Sequence, residues 1–217
     1  MKNFRSIPLY MLIVFILSSI IFVLFPEIDI YLSTLFYNES FYLKKNELVL
    51  FFYYSVKPLL IFLALGGIFL WLYNRYKKKD IFHFHAKELL LVLMTLVIGS
   101  GLIVNALLKE NWGRARPVHI VEFGGDRTFT PAFILSDQKG NSFSCGHASG
   151  AYVLIALALL ARKRKGLWMA LAVGYGSFVG VARMAAGGHY FSDVVVSFFI
   201  MYFTAKITYN LLFDDDS

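Results

Sequence analysis

The sequence predicts an all-α, polytopic membrane protein built as a bundle of six transmembrane helices. Of its 217 residues, 58% are hydrophobic and only 16% are charged. Soluble domains carry about a quarter charged residues, so this balance indicates a chain that lies in a bilayer. Six apolar runs approach the roughly 20 residues that a membrane helix needs. They lie at residues 7–25, 51–73, 89–108, 147–161, 167–182 and 194–212.

The first run has the appearance of a signal peptide, because Lys2 and Arg5 precede its apolar core. It is longer than the usual signal core and lacks a small-x-small cleavage pattern, which predicts a retained first helix. Residues 26–50 mix aromatic and polar side chains and leave room for an interfacial helix. The length and the absence of internal repeats predict a single domain over residues 1–217.

Basic residues orient the predicted bundle. Dense clusters at 75–79 and 162–165 fall on the same side as Lys2 and Arg5, and the positive-inside rule assigns that side to the cytoplasm. Residues 110–144 then form an outer loop. The net charge of +7 comes from short clusters between apolar runs, which favours membrane flanks and an anionic substrate over a nucleic-acid partner.

Polar residues gather at the helix ends that an alternating topology places on the outer face. They lie at the end of the third run, the start of the fourth, the end of the fifth and the start of the sixth. We therefore expect these ionisable side chains to converge without any assumption about the fold. The converging residues are Lys109, Arg116, His147, Arg183, His189 and Asp193.

The chemistry of this set suits a phosphoryl group. Lys109, Arg116 and Arg183 supply fixed positive charge, and arginine adds fork-shaped contacts to phosphate oxygens. Ser144 is expected to cap the fourth helix. The backbone N–H groups of Cys145, Gly146 and His147 would then be free at its positive end and form a phosphate cradle.

The two histidines fit a nucleophile and an acid. His189 and Asp193 are spaced i, i+4, which lets the carboxylate hold one ring nitrogen and leaves the other free to attack. His147 remains as an acid for the leaving oxygen. For Arg114 two interpretations stay open, a simple loop charge and a further contact to phosphate.

Other residues have no predicted role in chemistry. His83, His85 and His119 lack partners at useful spacing, and no His/Cys/Asp cluster has the ligand spacing of zinc. We therefore expect neither a metal ion nor another cofactor. Cys145 is the single cysteine, so an intrachain disulfide is excluded.

Three motifs in order resemble the type 2 phosphatidic acid phosphatase (PAP2) superfamily. Its pattern reads Lys-x6-Arg-Pro, then Pro-Ser-Gly-His, then Ser-Arg-x5-His-x3-Asp. Here the first motif is intact from Lys109 to Pro117, and the second reads Ser-Cys-Gly-His at 144–147. The third has Ala182 in place of the serine before Arg183.

The resemblance implies a metal-independent phosphatase that passes through a phosphohistidine at His189, with His147 as the acid. It also implies that the three cations bind the phosphate. Cys145 stands where the family has a serine, and a thiol is a weak hydrogen-bond donor. This change predicts an altered rate or selectivity, and Ala182 removes a secondary hydroxyl.

A finer resemblance links residues 112–117, 123–126, 129–133 and 187–195 to the bacterial lipid A phosphatases, the 4′-type slightly more than the 1-type. It implies a Gram-negative inner membrane, an active site that faces the periplasm, and an anionic phospholipid or lipid A as the substrate. The oligomeric state is left open.

Other functions remain as alternatives. Within the same class, the substrate would be undecaprenyl diphosphate, phosphatidylglycerophosphate or phosphatidic acid. A non-catalytic lipid-binding or transport protein is supported only by the Cys145 change, and the intact His147, His189 and Asp193 argue against it. A vanadium haloperoxidase, which shares the motif, is disfavoured by six membrane runs, and a fold alone would not decide between these functions.

Overall fold

The computed structural model describes residues 7–213 and contains a helix at each of the six apolar runs. Lys2 and Arg5, which contributed to the predicted orientation, lie outside the described residues. The helices are α1 (Leu9–Leu24), α2 (Glu27–Thr34), α3 (Glu47–Lys77), α4 (Ala86–Lys109), α5 (Gly146–Leu160), α6 (Lys165–Ala185) and α7 (Phe191–Phe213).

The segment between the first two apolar runs contains the expected extra helix. Helix α2 follows Pro26 and is bent by 85° from α1, so it leaves the direction of the first helix. A short antiparallel ribbon of β1 (Tyr37–Asn38) and β2 (Ser40–Phe41) follows. Together, α2 and the ribbon lie before α3, beside the end of the bundle where α7 begins.

Helix α3 starts four residues earlier than the run at 51–73 predicted. Asn46 caps it, because its side-chain oxygen accepts the N–H of Leu48 at 3.0 Å. Only the capping residue Asn46 and the first helical residue, Glu47, are polar, so the start is marked by the cap and not by the apolar run. The helix continues through Pro58, and a turn with π-type hydrogen bonds follows at Phe62–Gly66.

Four of the helices, α3, α4, α6 and α7, are long and apolar enough to cross a membrane, and the bent α1–α2 pair would give a fifth span. Helix α5 belongs to a shorter class of 10–17 residues. The all-α membrane architecture is therefore confirmed, whereas six complete spans are not established by length and composition. Large apolar side chains cover the outer surface, such as Phe62 at 72% exposure.

Helix α5 lies in the centre of the bundle and packs against α3, α4, α6 and α7. Its first turns are built from small residues, which let neighbouring helices approach closely. At Gly176 of α6, an added Cβ would lie only 2.2 Å from the ring of Tyr152. Because the chain enters this central helix at Cys145, residues at its start lie where four other helices meet.

The segment between α4 and α5 is an ordered loop over the same end of the bundle. It contains two 3₁₀ turns, Pro117–His119 and Val121–Phe123. The N–H of Val118 donates to the carbonyl of Gly187 at 3.1 Å, and the Phe123 ring packs on that of Phe41 at 5.4 Å. The loop is thus fixed to the α6–α7 connection and to the ribbon.

Candidate active site

Arg114 is the centre of a buried ionic network beneath the start of α7. Its guanidinium donates to Asp193 Oδ1 at 2.6 Å and to Asp29 Oδ2 at 2.8 Å. It also donates to the Ser192 hydroxyl at 2.9 Å and to the Thr130 carbonyl at 2.8 Å. The side chain is 0% exposed, so it is not a loop charge. A phosphate would reach it only by displacing these partners, so it is not placed as a phosphate ligand either.

The charge of Arg114 is stabilised by its partners. Burial works against the guanidinium cation, but the carboxylates of Asp193 and Asp29 raise the pKa of Arg114 above its ordinary value. The cation also lies 4.1 Å from the centre of the Tyr190 ring. Asp29 accepts the Ser192 N–H at 2.9 Å as well, so α2 is joined to the first turn of α7.

His189 is held in one tautomer by a backbone carbonyl. Its Nδ1 lies 2.7 Å from the carbonyl oxygen of Ser142 and 3.5 Å from Asp193 Oδ2. A carbonyl only accepts, so Nδ1 carries the proton and the neutral ring has its lone pair on Nε2. We predicted that Asp193 would hold this nitrogen, and its carboxylate lies within ion-pair distance of Nδ1, although farther away than the Ser142 carbonyl. Asp193 also accepts from the Ser142 hydroxyl at 2.6 Å and from the Tyr190 N–H at 2.9 Å, and so fixes the segment that holds the ring.

A positive charge on His189 has neighbours that stabilise it. Burial disfavours the imidazolium, yet Cys145 and Asp193 together raise the pKa of His189 above its usual range. A ring that reacts at Nε2 becomes cationic while Nδ1 keeps its proton, and the same partners would stabilise that state.

The start of α5 differs from the predicted cradle in two respects. Cys145, not Ser144, is the residue that precedes the helix, and the Ser144 hydroxyl is buried without a hydrogen-bond partner in the described part of the chain. The N–H of Cys145 donates to the Asp193 carbonyl at 3.3 Å, so it is not free for phosphate. The absence of a side chain at Gly146 accommodates Asn105, whose Oδ1 would lie 2.6 Å from an added Cβ.

The thiol of Cys145 is fully buried against His189. Burial alone would raise its pKa, but the neighbouring imidazole outweighs burial and lowers the pKa of Cys145. The only cysteine in the chain therefore contacts the predicted nucleophile. It does not line the solvent side of the site.

Three cations converge near these groups without carboxylate partners. Within residues 7–213, none of Lys109, Arg116 and Arg183 forms an ion pair, and the buried Nε atoms of both arginines have no hydrogen-bond partner. Lys109 lies within electrostatic reach of both arginines. Burial and the neighbouring Arg183 lower the pKa of Arg116. An anion between these cations would relieve their repulsion and accept their unused hydrogen bonds.

His147 and Arg183 are both placed by Tyr53 of α3. The Tyr53 ring stacks on the His147 ring, with 4.5 Å between centroids and an interplanar angle of 24°. The Arg183 guanidinium lies 4.8 Å from the centre of the same tyrosine ring, in cation–π contact. The predicted acid and one predicted phosphate ligand therefore share a single aromatic support.

Tyr53, Arg116 and Arg183 line a cavity of about 310 Å³, here called the cationic cavity. The cavity is lined by Lys44, Val49, Leu50, Tyr53, Tyr54, Arg116, Val118, His119, Arg183, Ala186, Gly187 and Gly188. A larger cavity, of about 680 Å³, lies beside Trp168 at the other end of the bundle and includes none of the predicted site residues.

The three histidines without a predicted role lie at opposite ends of the helix bundle. His83 and His85, predicted to lack partners, both contact Asp80, at 2.5 and 2.9 Å, but they lie far along the chain from the cationic cavity. His119, for which no role was predicted, lines that cavity. In the described residues, no group of three or more His, Cys, Asp or Glu side chains could hold a metal ion.

Several residues of the site were missed by the sequence analysis. Tyr53 lies in an apolar run where an aromatic residue carries no special signal. Asp29 and Ser142 act across long stretches of chain, and Ser192 lies 163 positions after Asp29. The signal that could have drawn attention to Asp29 is a carboxylate at the edge of an apolar run, where an unpaired charge is costly.

A substitution at Gly188 tests whether turnover depends on the position of the Arg183 guanidinium. An alanine Cβ there would lie 2.4 Å from the Arg183 guanidinium, which is the flexible end of a side chain. The backbone at Gly188 needs no left-handed conformation, so Gly188→Ala should fold and displace only the guanidinium. We expect kcat/KM for a phosphorylated lipid to fall on the order of 100-fold, because small misplacements at a reacting centre carry that cost.

Gly174→Ala is the matched control, since an added Cβ at this position in α6 meets nothing within 4 Å. Thermal unfolding in detergent should be unchanged for both variants. Parental activity in a correctly folded Gly188→Ala protein would show that the position of Arg183 is immaterial to turnover.

The chain is similar to several known proteins. The chain is 35% identical to a lipid A 4′-phosphatase of Francisella tularensis subsp. novicida, over 93% of this chain and 94% of that protein. It is 39% identical to a lipid A 4′-phosphatase of Rhizobium leguminosarum, over 51% of this chain and 49% of that one. It is 38% identical to a lipid A 1-phosphatase of Rhizobium etli, over 48% of this chain and 41% of that one.

No solved structure matches the chain. The family pattern described as the PAP2 superfamily matches residues 88–216, which include all three motifs. Because this match covers more than half of the sequence, and a relative of nearly equal length supports it, the chain belongs to the PAP2 superfamily.

Proposed function

We propose that this protein is a membrane lipid phosphatase that hydrolyses a phosphate monoester of a lipid headgroup through a phosphohistidine at His189. The observation that carries the proposal is that unpaired cationic donors lie beside a histidine with an available lone pair. Among residues 7–213, the buried Nε donors of Arg116 and Arg183 have no hydrogen-bond partner, and the neutral ring of His189 beside them carries its lone pair on Nε2 because Nδ1 is bound to the Ser142 carbonyl. A phosphoryl group is the ligand that such donors and such a nucleophile would both engage.

In the first step, Nε2 of His189 attacks phosphorus, and the bond from phosphorus to the lipid oxygen breaks. The electron pair of that bond stays on the leaving oxygen, which takes a proton from His147. Lys109, Arg116 and Arg183 stabilise the charge on the three phosphoryl oxygens as it is transferred.

In the second step, water attacks the phosphohistidine. His147, now neutral, takes the proton of that water, and the bond from phosphorus to Nε2 breaks. Inorganic phosphate leaves, and His189 regains its lone pair. The overall reaction consumes one water and releases the dephosphorylated lipid, so atoms and protons balance.

Arg114, Asp193 and Ser142 are positioning residues in this scheme. Arg114 holds Asp193, Asp193 holds the Ser142 hydroxyl, and the Ser142 carbonyl holds Nδ1 of His189. Cys145 and Asp193 would stabilise the cationic ring of the intermediate. The fixed cations supply the charge that Mg²⁺ supplies in other phosphoryl-transfer enzymes, so we infer that turnover needs no metal.

Lipid A is the substrate that we favour. The support is that several relatives are named lipid A phosphatases, one of them over nearly the whole chain. We place the site at the periplasmic face of a bacterial inner membrane. The support for that face is the basic clusters at 75–79 and 162–165, which lie at the ends of helices opposite the cationic cavity.

The first test is phosphate release from a panel of purified lipids with EDTA present. The panel contains lipid A, undecaprenyl diphosphate, phosphatidylglycerophosphate and phosphatidic acid. We expect the highest kcat/KM on lipid A and no loss of rate with chelator, because the cations are side chains. His189→Gln is the control for release by contaminating enzymes.

A protein that EDTA silences and Mg²⁺ restores would contradict the metal-independent mechanism. Higher activity on undecaprenyl diphosphate or a glycerophospholipid would change the substrate and keep the mechanism. Release that persists in His189→Gln would contradict the nucleophile.

The second test concerns the membrane face. Alkaline phosphatase, which is active only in the periplasm, is fused after residue 127 in one protein and after residue 164 in another. We expect activity from the fusion at 127 alone, because the clusters around 162–165 hold that end inside. Equal activity from both fusions, matched for expression, would contradict the orientation.

A further inference from the structure

A second cavity, of about 510 Å³, adjoins the cationic cavity, and the two share Lys44 and Val118 as lining residues. We call it the ribbon cavity because most of its wall comes from the ribbon and the turn that follows. It is lined by Tyr37, Glu39, Ser40, Phe41, Tyr42, Lys44, Lys45, Val118 and Phe123. A headgroup larger than one phosphate could therefore extend from the first cavity into the second.

The walls of the ribbon cavity are fixed by packing. The rings of Tyr37, Phe41 and Phe123 contact one another, with centroids 5.0 to 5.4 Å apart. Val118 is tied to the α6–α7 connection through its N–H bond to Gly187. Lys44 and Lys45 therefore come directly after a packed aromatic cluster, so the cavity wall is formed before a ligand binds.

The charge along this path is positive. Lys44 and Lys45 are exposed and form no ion pair in the part of the chain that the structure describes, while Glu39 is the one carboxylate in the lining. The pKa of His119, which lines the cationic cavity, reflects the same positive charge. Burial, then Arg127 and Arg116, lower its pKa, with a further contribution from Lys44.

We propose that the ribbon cavity binds a second anionic group, a phosphate or a carboxylate, on the same lipid headgroup whose monoester is hydrolysed in the cationic cavity. This inference rests on the proposed function and narrows its substrate class to lipids with two anionic groups on an extended headgroup. Both volumes fall within the range of about 300–1,000 Å³ that is usual for ligand sites.

Lys45 separates this inference from the chemistry of the first cavity. Lys45 lines the ribbon cavity and not the cationic cavity, whereas Lys44 lines both. Replacing Lys45 should not change the KM for a lipid that lacks the second anionic group. Lys44 should matter for either lipid, because it also faces the hydrolysed phosphate.

The experiment compares two synthetic disaccharide lipids with the same acyl chains, one with a phosphate at both ends and one with only the phosphate that is hydrolysed. For Lys45→Met we expect KM on the bisphosphorylated lipid to rise roughly 5-fold, the scale of an exposed ion pair. KM on the monophosphorylated lipid and kcat on both should stay at parental values. Lys45→Arg should keep the parental KM, and Lys139→Met is the charge-matched control on another wall of the outer loop.

An equal change on both lipids, or none on either, would overturn the second subsite. Binding of the bisphosphorylated lipid to protein in detergent gives a readout that does not need turnover. If the parent releases phosphate from neither lipid, the proposed function fails. In that case, the subsite is supported only if Lys45→Met binds the bisphosphorylated lipid more weakly than the parent does. Equal affinity of the two proteins for that lipid would overturn the subsite as well.

Discussion

The ion pairs of Arg114 with Asp193 and Asp29 are the interaction on which the rest of the site depends. They join three segments that are distant in sequence, namely α2, the loop after α4 and the first turn of α7. A buried charge that loses its partner costs several kcal/mol, so these segments keep their positions together. From Asp193 the connection runs through the Ser142 hydroxyl and carbonyl to the ring of His189.

The network also explains why two kinds of arginine occur side by side. Arg114 has its charge neutralised by carboxylates and its donors satisfied by the protein, so it acts as structure. Among residues 7–213, Arg116 forms no ion pair and its Nε has no hydrogen-bond partner, although it is only two residues further along the chain. Leaving cations half-buried and unpaired lowers the stability of the empty protein, and an anionic ligand removes that cost. This difference in pairing distinguishes the positioning residue from the proposed ligands.

The sequence predicts the helices and the convergence of the site better than its inner contacts. Apolar runs locate α1 and α3 to α7, and alternation of the chain across a bilayer brings Lys109, Arg183 and His189 to one end. The early start of α3 escapes prediction because a polar cap, not apolarity, begins the helix. Helix α5 is shorter than the helices that could cross a membrane, and other helices surround it.

Contacts between distant segments account for the other differences. The i, i+4 spacing of His189 and Asp193 suggests a direct bond, but the Ser142 carbonyl comes closer to the ring because the loop after α4 folds against α7. The sequence alone does not distinguish Arg114 from an ordinary loop residue, because its contacts with Asp29 and Asp193 appear only in the folded structure. Tyr53 cannot be assigned without knowing that α3 faces α6 at the level of Arg183.

Chemical capture of the phosphohistidine tests the role of His189 directly. Purified protein is mixed with lipid that carries a labelled phosphate, quenched in alkali within milliseconds, and digested for mass spectrometry. A phosphoramidate survives alkali and is lost in acid, so the account predicts base-stable, acid-labile label on His189 and none in His189→Gln. Label on Cys145, or steady turnover with no covalent label at any quench time, would contradict it.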